Sequence, residues 1–219
     1  MTDTADLTLD EARRALAPAI ADAAAFDGWS AEAVETAAGL LGIDPRIAHV
    51  AFPGDAMDMI AAWIADVDAT MIGAFTVETL AALPVRERIR SLVQFRLDAV
   101  AGREESLRRA LAIMAMPHHA AEALRLGWHS ADLMWRLAGD TATDWNHYSK
   151  RTILAAIYAA TLAVLIDDRS AGKTETRAFL DRRIAGIIRF EKAKARLTRP
   201  DRAHFSVARF LGRLRYPAN

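Results

Sequence analysis

Apolar residues recur at three- and four-residue spacings along most of the chain, and each run is bounded by start and stop signals that read as helix ends. Thr8-x-x-Glu11 is a capping box, and Leu9, Ala12, Leu16, Ala19 and Ile20 follow at helical spacing. Pro18 is expected to kink this first helix and Gly28 to end it. Ser30 starts a second helix through Leu40, and "LGID" makes a turn. Asp44 caps a short third helix with Pro45 at its first position. "FPG" closes that helix, and Asp55 caps a long fourth one running into the seventies. Pro84 opens a helix to Ala101 with Val85, Ile89, Leu92, Val93 and Leu97 inward; "EESLRRALAIMAM" is the next, and Pro117 starts "HHAAEALRLGWHSADLMWRLAG". "TILAAIYAATLAVLI", residues 152–166, is apolar all round but too short to cross a bilayer, so it reads as a buried central helix. "TETRAFLDRRIAGIIRFEKAKARL" closes the body with Phe179, Ile184, Ile187, Ile188 and Leu197 on its apolar side. The pattern predicts an all-α chain in three parts: a head over 1–75, a helical body over 76–198 and a tail over 199–219.

The order of the head, helix, "FDGWS", helix, "GLLGIDP", short helix, "FPG", long helix, resembles the helix-turn-helix of TetR-type repressors over residues 8–70. This implies a TetR-like bundle; it does not imply DNA binding. The third helix offers only Arg46 and His49 toward bases or phosphates, among Asp27, Glu32, Glu35, Asp44, Asp55 and Asp58. Such a face repels a polyanion, so nucleic acid is not an expected partner. A ligand-responsive TetR-type regulator stands as the alternative reading, and a ligand-free homodimeric bundle as a third.

Charge sharpens the division. The net charge is zero, yet residues 1–75 carry three basic side chains against thirteen acidic, and residues 169–219 carry fourteen basic against four acidic. Only 11 Gly and 7 Pro interrupt a chain rich in Ala, Leu, Ile and Arg, which favours helix. Cysteine is absent, which excludes disulfides and thiolate metal sites. The acidic start, "MTDTADLTLDEARR", reads as neither signal nor transit peptide, so a cytoplasmic protein is expected. In the tail, Val207, Phe210, Leu211 and Leu214 fall on one helical face beside Arg202, Ser206, Arg209 and Arg213. A basic helix with an apolar face has the composition of a segment lying in a membrane interface. Peripheral membrane association through Val207, Arg209, Phe210, Leu211, Arg213 and Leu214 is therefore expected.

The stretch "AGDTATDWNHYSKRTILAAIY", residues 138–158, crowds polar groups ahead of an apolar helix. Asp144 and His147, or His118 and Glu122, have two-ligand spacing, but the chain contains no Glu-x-x-His, so neither metal nor cofactor is expected. No local arrangement picks out a nucleophile with its base, and no Gly-rich phosphate loop is present, so an enzyme is not expected. The local reading of "GDTATD" is a helix stop at Gly139 and a new N-cap at Thr141 or Thr143.

The run "DLMWRLAGDTATDWNHYSKRTILAAIYAATLAVLIDD", followed by "TRAFLDRRI", resembles the Coq-nine family, lipid-binding accessory proteins of ubiquinone biosynthesis with a TetR-like fold. The segments that carry it are W-x-x-AGD, T-D-x-N-x-Y, the following Arg151 and LAA-x-Y; "FDGWS" and "AFPGDAMDMIAAW" fit as well. The resemblance implies an accessory protein that binds an isoprenoid lipid or quinone intermediate in its body and presents it to the di-iron demethoxyubiquinone hydroxylase. It places the partner surface on the helix bearing Trp128, Asp132 and Trp135, which share one face at i, i+4 and i+7. Arg136 and His147 stand where relatives carry aromatics. For the lipid, the larger inward residues of the body are the candidates: Leu92, Phe95, Ile113, Met114, Ile157 and Leu162. TetR-like bodies pair through their last two long helices, so a homodimer through 143–167 and 174–197 is expected.

Overall fold

Helix starts fall where the capping residues put them. The computed structural model describes residues 7–141 and 145–197, and every element among them is helical. Thr8 closes the expected box: its backbone N–H donates to Glu11 Oε2 at 2.9 Å, and Glu11 N–H donates to Thr8 Oγ1 at 3.3 Å. Helix α1 (Leu9–Asp27) runs through Pro18 and stops at Gly28, whose φ of 71° lies in the region that favours glycine. Next come α2 (Ala31–Leu41), α3 (Pro45–Ala51) and α4 (Ala56–Ala74). Asp44 and Asp55 accept from Arg46 N–H and Met57 N–H, as caps should. Ser30 sits at the N-cap of α2, but its hydroxyl donates to the Asp27 carbonyl at 3.1 Å, bracing the preceding turn.

One element goes beyond the sequence pattern. The single-turn α5 (Val77–Ala81) is started by Thr76, which exchanges hydrogen bonds with Thr79, and it buries only Leu80. A turn with one inward residue has no periodicity to read. The body continues as α6 (Val85–Val100), α7 (Glu104–Met114), α8 (Ala120–Leu137), α9 (Trp145–Leu165) and α10 (Thr174–Leu197). Val85, expected inward, is exposed in the first turn of α6, whereas Ile89, Leu92, Val93 and Leu97 are buried. Helix α8 begins at Ala120 because residues 115–119 turn back on themselves, with Met116 N–H donating to Ile113 O and His119 N–H to Met116 O.

Met1–Asp181 forms one compact unit and Arg182–Asn219 a second. In the first unit, α1 packs on α2, α3, α4 and α7, and Leu16, Ile20, Val34 and Ile60 of these helices are buried. The "FDGWS" loop ties the head to the body. Trp29 is buried 5.5 Å from Trp63 of α4, and its Nε1–H donates to the Ser106 carbonyl of α7 at 3.1 Å. Ser106 Oγ in turn donates to the Ala21 carbonyl of α1 at 2.6 Å.

A buried carboxylate closes the turn after α9. Asp168 accepts from Ser170 N–H and Oγ–H and from Thr176 N–H and Oγ1–H, at 2.5–2.9 Å. Burial alone would raise its pKa, but these four donors outweigh burial and hold the carboxyl far below the ordinary range. A depressed carboxylate stabilises the fold fully above its unfolded value, about 4, and this is lost as pH falls through the folded value. The urea midpoint should therefore fall steeply below about pH 4, and Asp168→Asn should flatten that fall while lowering the midpoint at neutral pH. Parallel pH profiles for the two proteins would refute the assignment.

Candidate functional site

Five helices of the first unit converge without filling the space between them, leaving a cavity of about 420 Å³. Helix α4 contributes Ile60, Trp63, Ile64 and Val67; α6 contributes Arg96 and Val100; α7 contributes Leu107, Ala110, Leu111 and Met114. Helix α8 adds Ala123, Leu124, Leu126, Gly127 and Ser130, and α9 adds Ala155, Tyr158, Ala159 and Leu162. Small side chains explain the space. Ala110, Ala123, Gly127, Ala155 and Ala159 stand where larger residues would meet, and a Cβ built on Gly127 would touch nothing within 4 Å. The volume is that of a small-molecule site, and the lining is nearly all apolar. Leu124, 75% exposed, belongs to the same lining and marks where the cavity reaches solvent.

Of the six residues proposed for lipid contact from sequence, Met114 and Leu162 line this cavity. Leu92 is fully buried away from it, and Phe95 packs edge-on against Phe75 at 5.6 Å. Ile113 and Ile157 each neighbour a lining residue in sequence but are not themselves part of the lining. The sequence reading favoured bulk, whereas the lining includes many small residues. The signal that could have found it is the small-residue spacing on α9 and Gly127 inside α8.

The wall has one polar region. Arg96 is 1% exposed and pairs one Nη with Asp68, while Nη2 donates to Ser130 Oγ at 3.1 Å. Its guanidinium lies 5.0 Å over the Tyr158 ring. Arg96 Nε–H has no hydrogen-bond acceptor among the described residues.

A second charged cluster organises the α8–α9 corner, the stretch that carries the family resemblance. Arg151, 1% exposed, donates from Nε to Asp132 Oδ1 at 2.5 Å and from Nη1 to Asp140 Oδ2 at 3.1 Å. Nη1 also reaches the His147 carbonyl at 3.0 Å. Lys150 Nζ donates to Asp140 Oδ1 at 2.6 Å and lies 5.2 Å over the Trp135 ring, whose Nε1–H donates to the Lys150 carbonyl. Burial acts to raise the Asp140 carboxyl, and the hydrogen bonds from Lys150 and Arg151 overcome it, leaving the pKa below its ordinary value. Trp128 is half-buried 6.0 Å from Tyr148, which is 58% exposed. Trp128, Asp132 and Trp135 are thus brought together on α8 but are joined there by α9. Arg136 pairs with Asp132 at 3.0 Å across the i,i+4 spacing of α8, whereas the links from α9 to Asp132 and Asp140 follow from no spacing within one helix. Helix α8 ends with Ala138 as its cap and Gly139 following at φ 85°. Thr143 and Asp144 lie outside the described residues, as do the six membrane candidates Val207, Arg209, Phe210, Leu211, Arg213 and Leu214 and the whole tail 199–219. Among the described residues no group of three His, Asp or Glu could hold a metal ion, and no helix is long and apolar enough to cross a membrane.

Head, cavity and corner define a TetR-like all-α protein with an internal apolar site. The TetR transcriptional regulator of Nitrosomonas europaea superposes with a TM-score of 0.63 over 79% of this chain and 95% of its own, at 22% identity. Within that fold, residues 120–191 match the COQ9 family model, which bears out the resemblance read from residues 132–184. The human mitochondrial ubiquinone biosynthesis protein COQ9 is 32% identical over 164 residues, 72% of this chain and 51% of its own length. The rat protein of the same name is 33% identical over 72% of this chain and 52% of its own. The chain spans about half the length of the curated relatives it matches.

Proposed function

We propose that this chain is a non-enzymatic accessory of ubiquinone biosynthesis that binds an isoprenoid lipid or quinone intermediate and presents it to the di-iron demethoxyubiquinone hydroxylase. The observation that carries the reading is an apolar, small-residue-lined cavity within a chain that resembles COQ9 proteins. Ligand enters past Leu124 and lies among Met114, Leu162 and the alanines of α9. Gly127→Phe fills the space by adding a ring where a Cβ meets nothing, and it replaces glycine inside a helix, which costs about 1 kcal/mol relative to Ala. The variant should fold at least as well as the parent and retain added isoprenoid at least tenfold less tightly, about 1.4 kcal/mol. Equal retention by both would remove the cavity from the lipid site.

Partner binding is assigned to the corner of Trp128, Asp132 and Trp135 with Tyr148. Half-buried aromatics beside a fixed ion-pair cluster give a preorganised contact surface at low entropic cost. Trp128→Ala should weaken capture of the hydroxylase by roughly tenfold or more while leaving the unfolding midpoint within about 1 kcal/mol. Unchanged capture would move the surface elsewhere. Residues 199–219 are assigned to the membrane surface, which makes the protein peripheral to it. The homodimer is assigned to α9 and α10: Thr152, Ala156, Ala160 and Ala163 make an exposed small-residue face on α9 that permits close helix approach.

The regulator reading shares the fold. It requires a cationic face on α3, where Arg46 and His49 are the exposed basic groups and His49 is 3.2 Å from Glu35. No salt-dependent DNA binding is expected.

A further inference from the structure

We infer that the head carries a docking surface of its own, on α2 and α3, and that its partner is a basic amphipathic helix of another protein. The exposed residues of α2 include Glu32, Glu35, Thr36, Gly39 and Leu40, at i, i+3, i+4, i+7 and i+8, so they form one stripe along the helix. On α3, Arg46, His49 and Val50 are exposed at i, i+3 and i+4. Two side-chain contacts join these faces into one surface. His49 Nε2 lies 3.2 Å from Glu35 Oε1, and Thr36 Oγ1 donates to Asp27 Oδ2 at 3.0 Å, next to Phe26 in the last turn of α1. Phe26, Leu40 and Val50 are 87%, 74% and 67% exposed. Single exposed apolar side chains are ordinary, but three bordering one joined surface are what a docking site supplies.

Charge selects the occupant. Asp27, Glu32 and Glu35 have no lysine or arginine partner among the described residues, and Arg46 is matched by Asp44 at 3.5 Å. Arg109 reaches the Phe26 carbonyl at the edge of the surface, but it is paired with Glu105. The surface is therefore apolar and negative. It repels a nucleic-acid backbone and an anionic bilayer. A second copy in a two-fold pairing would bring the same negative face against it. A helix with an apolar stripe flanked by lysine or arginine meets both features at once. Its stripe covers Phe26, Leu40 and Val50, while its cations reach Asp27, Glu32 and Glu35. A Cβ built on Gly39 would touch nothing within 4 Å, so the incoming helix can approach the α2 backbone there. The helix-turn-helix positions that would face DNA thus face a protein.

The test follows labelled synthetic peptides binding to the full chain by fluorescence anisotropy. The first is a leucine–lysine peptide with leucines at i, i+3, i+4 and i+7. The second has the same composition in an order without an apolar face, and the third is the leucine–glutamate counterpart of the first. The parent should bind the ordered lysine peptide about tenfold or more tighter than the reordered one, and the glutamate peptide most weakly. Leu40→Ser with Val50→Ser should weaken the ordered peptide by roughly tenfold. Glu32→Gln with Glu35→Gln should weaken it and flatten its loss at high salt. All four positions are exposed, so the unfolding midpoint should stay where it is. Equal binding of the two lysine peptides, or tightest binding of the glutamate peptide, would overturn the proposal. So would binding that neither pair of substitutions changes, because the peptide would then sit elsewhere. Duplex DNA bound more tightly than the ordered peptide would make the face a base reader. Self-association or binding to anionic vesicles that is lost in Leu40→Ser with Val50→Ser would give it to a second copy or a bilayer. Each of these results overturns the proposal and leaves the reading of the cavity untouched.

Discussion

Arg151→Met should destabilise the chain by about 3 kcal/mol, the lower end of the cost of removing one partner from a buried ion pair. The substitution keeps most of the side-chain stem but deletes the charge that joins Asp132, Asp140 and the His147 carbonyl. Among the described residues, Asp140 is then left in a nearly buried position with Lys150 as its cation, and Asp132 with Arg136. The lower end is chosen because the Asp132 side chain is 22% exposed and water can recover part of its solvation. Lys150→Ala is the contrast. The lysine side chain is 38% exposed, so its loss should cost no more than about 1 kcal/mol. Urea unfolding separates the two, and a cost below 1 kcal/mol for Arg151→Met would mean that the corner is not held by this cluster. Because the same arginine orients the α9 end of the Trp128–Trp135 surface, partner capture should fall with stability.

The second large effect concerns the cavity wall. Arg96→Met should cost about 3–5 kcal/mol, because it leaves Asp68 buried without its counter-charge. Adding Asp68→Leu should return most of that loss, since replacing a whole buried pair by apolar residues of similar volume is often neutral or stabilising. A double-mutant cycle by urea unfolding reads this directly. If the single and double variants are equally destabilised, Asp68 is not the charge that Arg96 balances.

The helices were legible because their ends are chemically marked. Thr8, Asp44 with Pro45, Asp55 and Pro84 each start an element within a residue of the reading, and Gly28 stops one. The turn at 115–119 was misread because Pro117 is a good first helical residue, while the chain spends that proline on a reversal instead. The cavity was far less legible. Apolar periodicity marks every inward residue alike, so Leu92 in the solid core and Leu162 on the cavity wall carry the same signal. What distinguishes them is the size of residues facing them from other helices, and that pairing is set only by the fold. The Arg96–Asp68 pair was invisible for the same reason, since 28 residues separate its partners. The corner was found through a family resemblance; the hydrogen bonds that join its residues came from the structure.

The central claim is that the cavity holds a lipid. Native mass spectrometry of the purified full chain, with lipid extraction from the same sample, tests it most directly. The account predicts a bound mass that is released on extraction as an isoprenoid or quinone, and that is lost in Gly127→Phe. A chain that is empty as purified and also refuses added farnesol would contradict it.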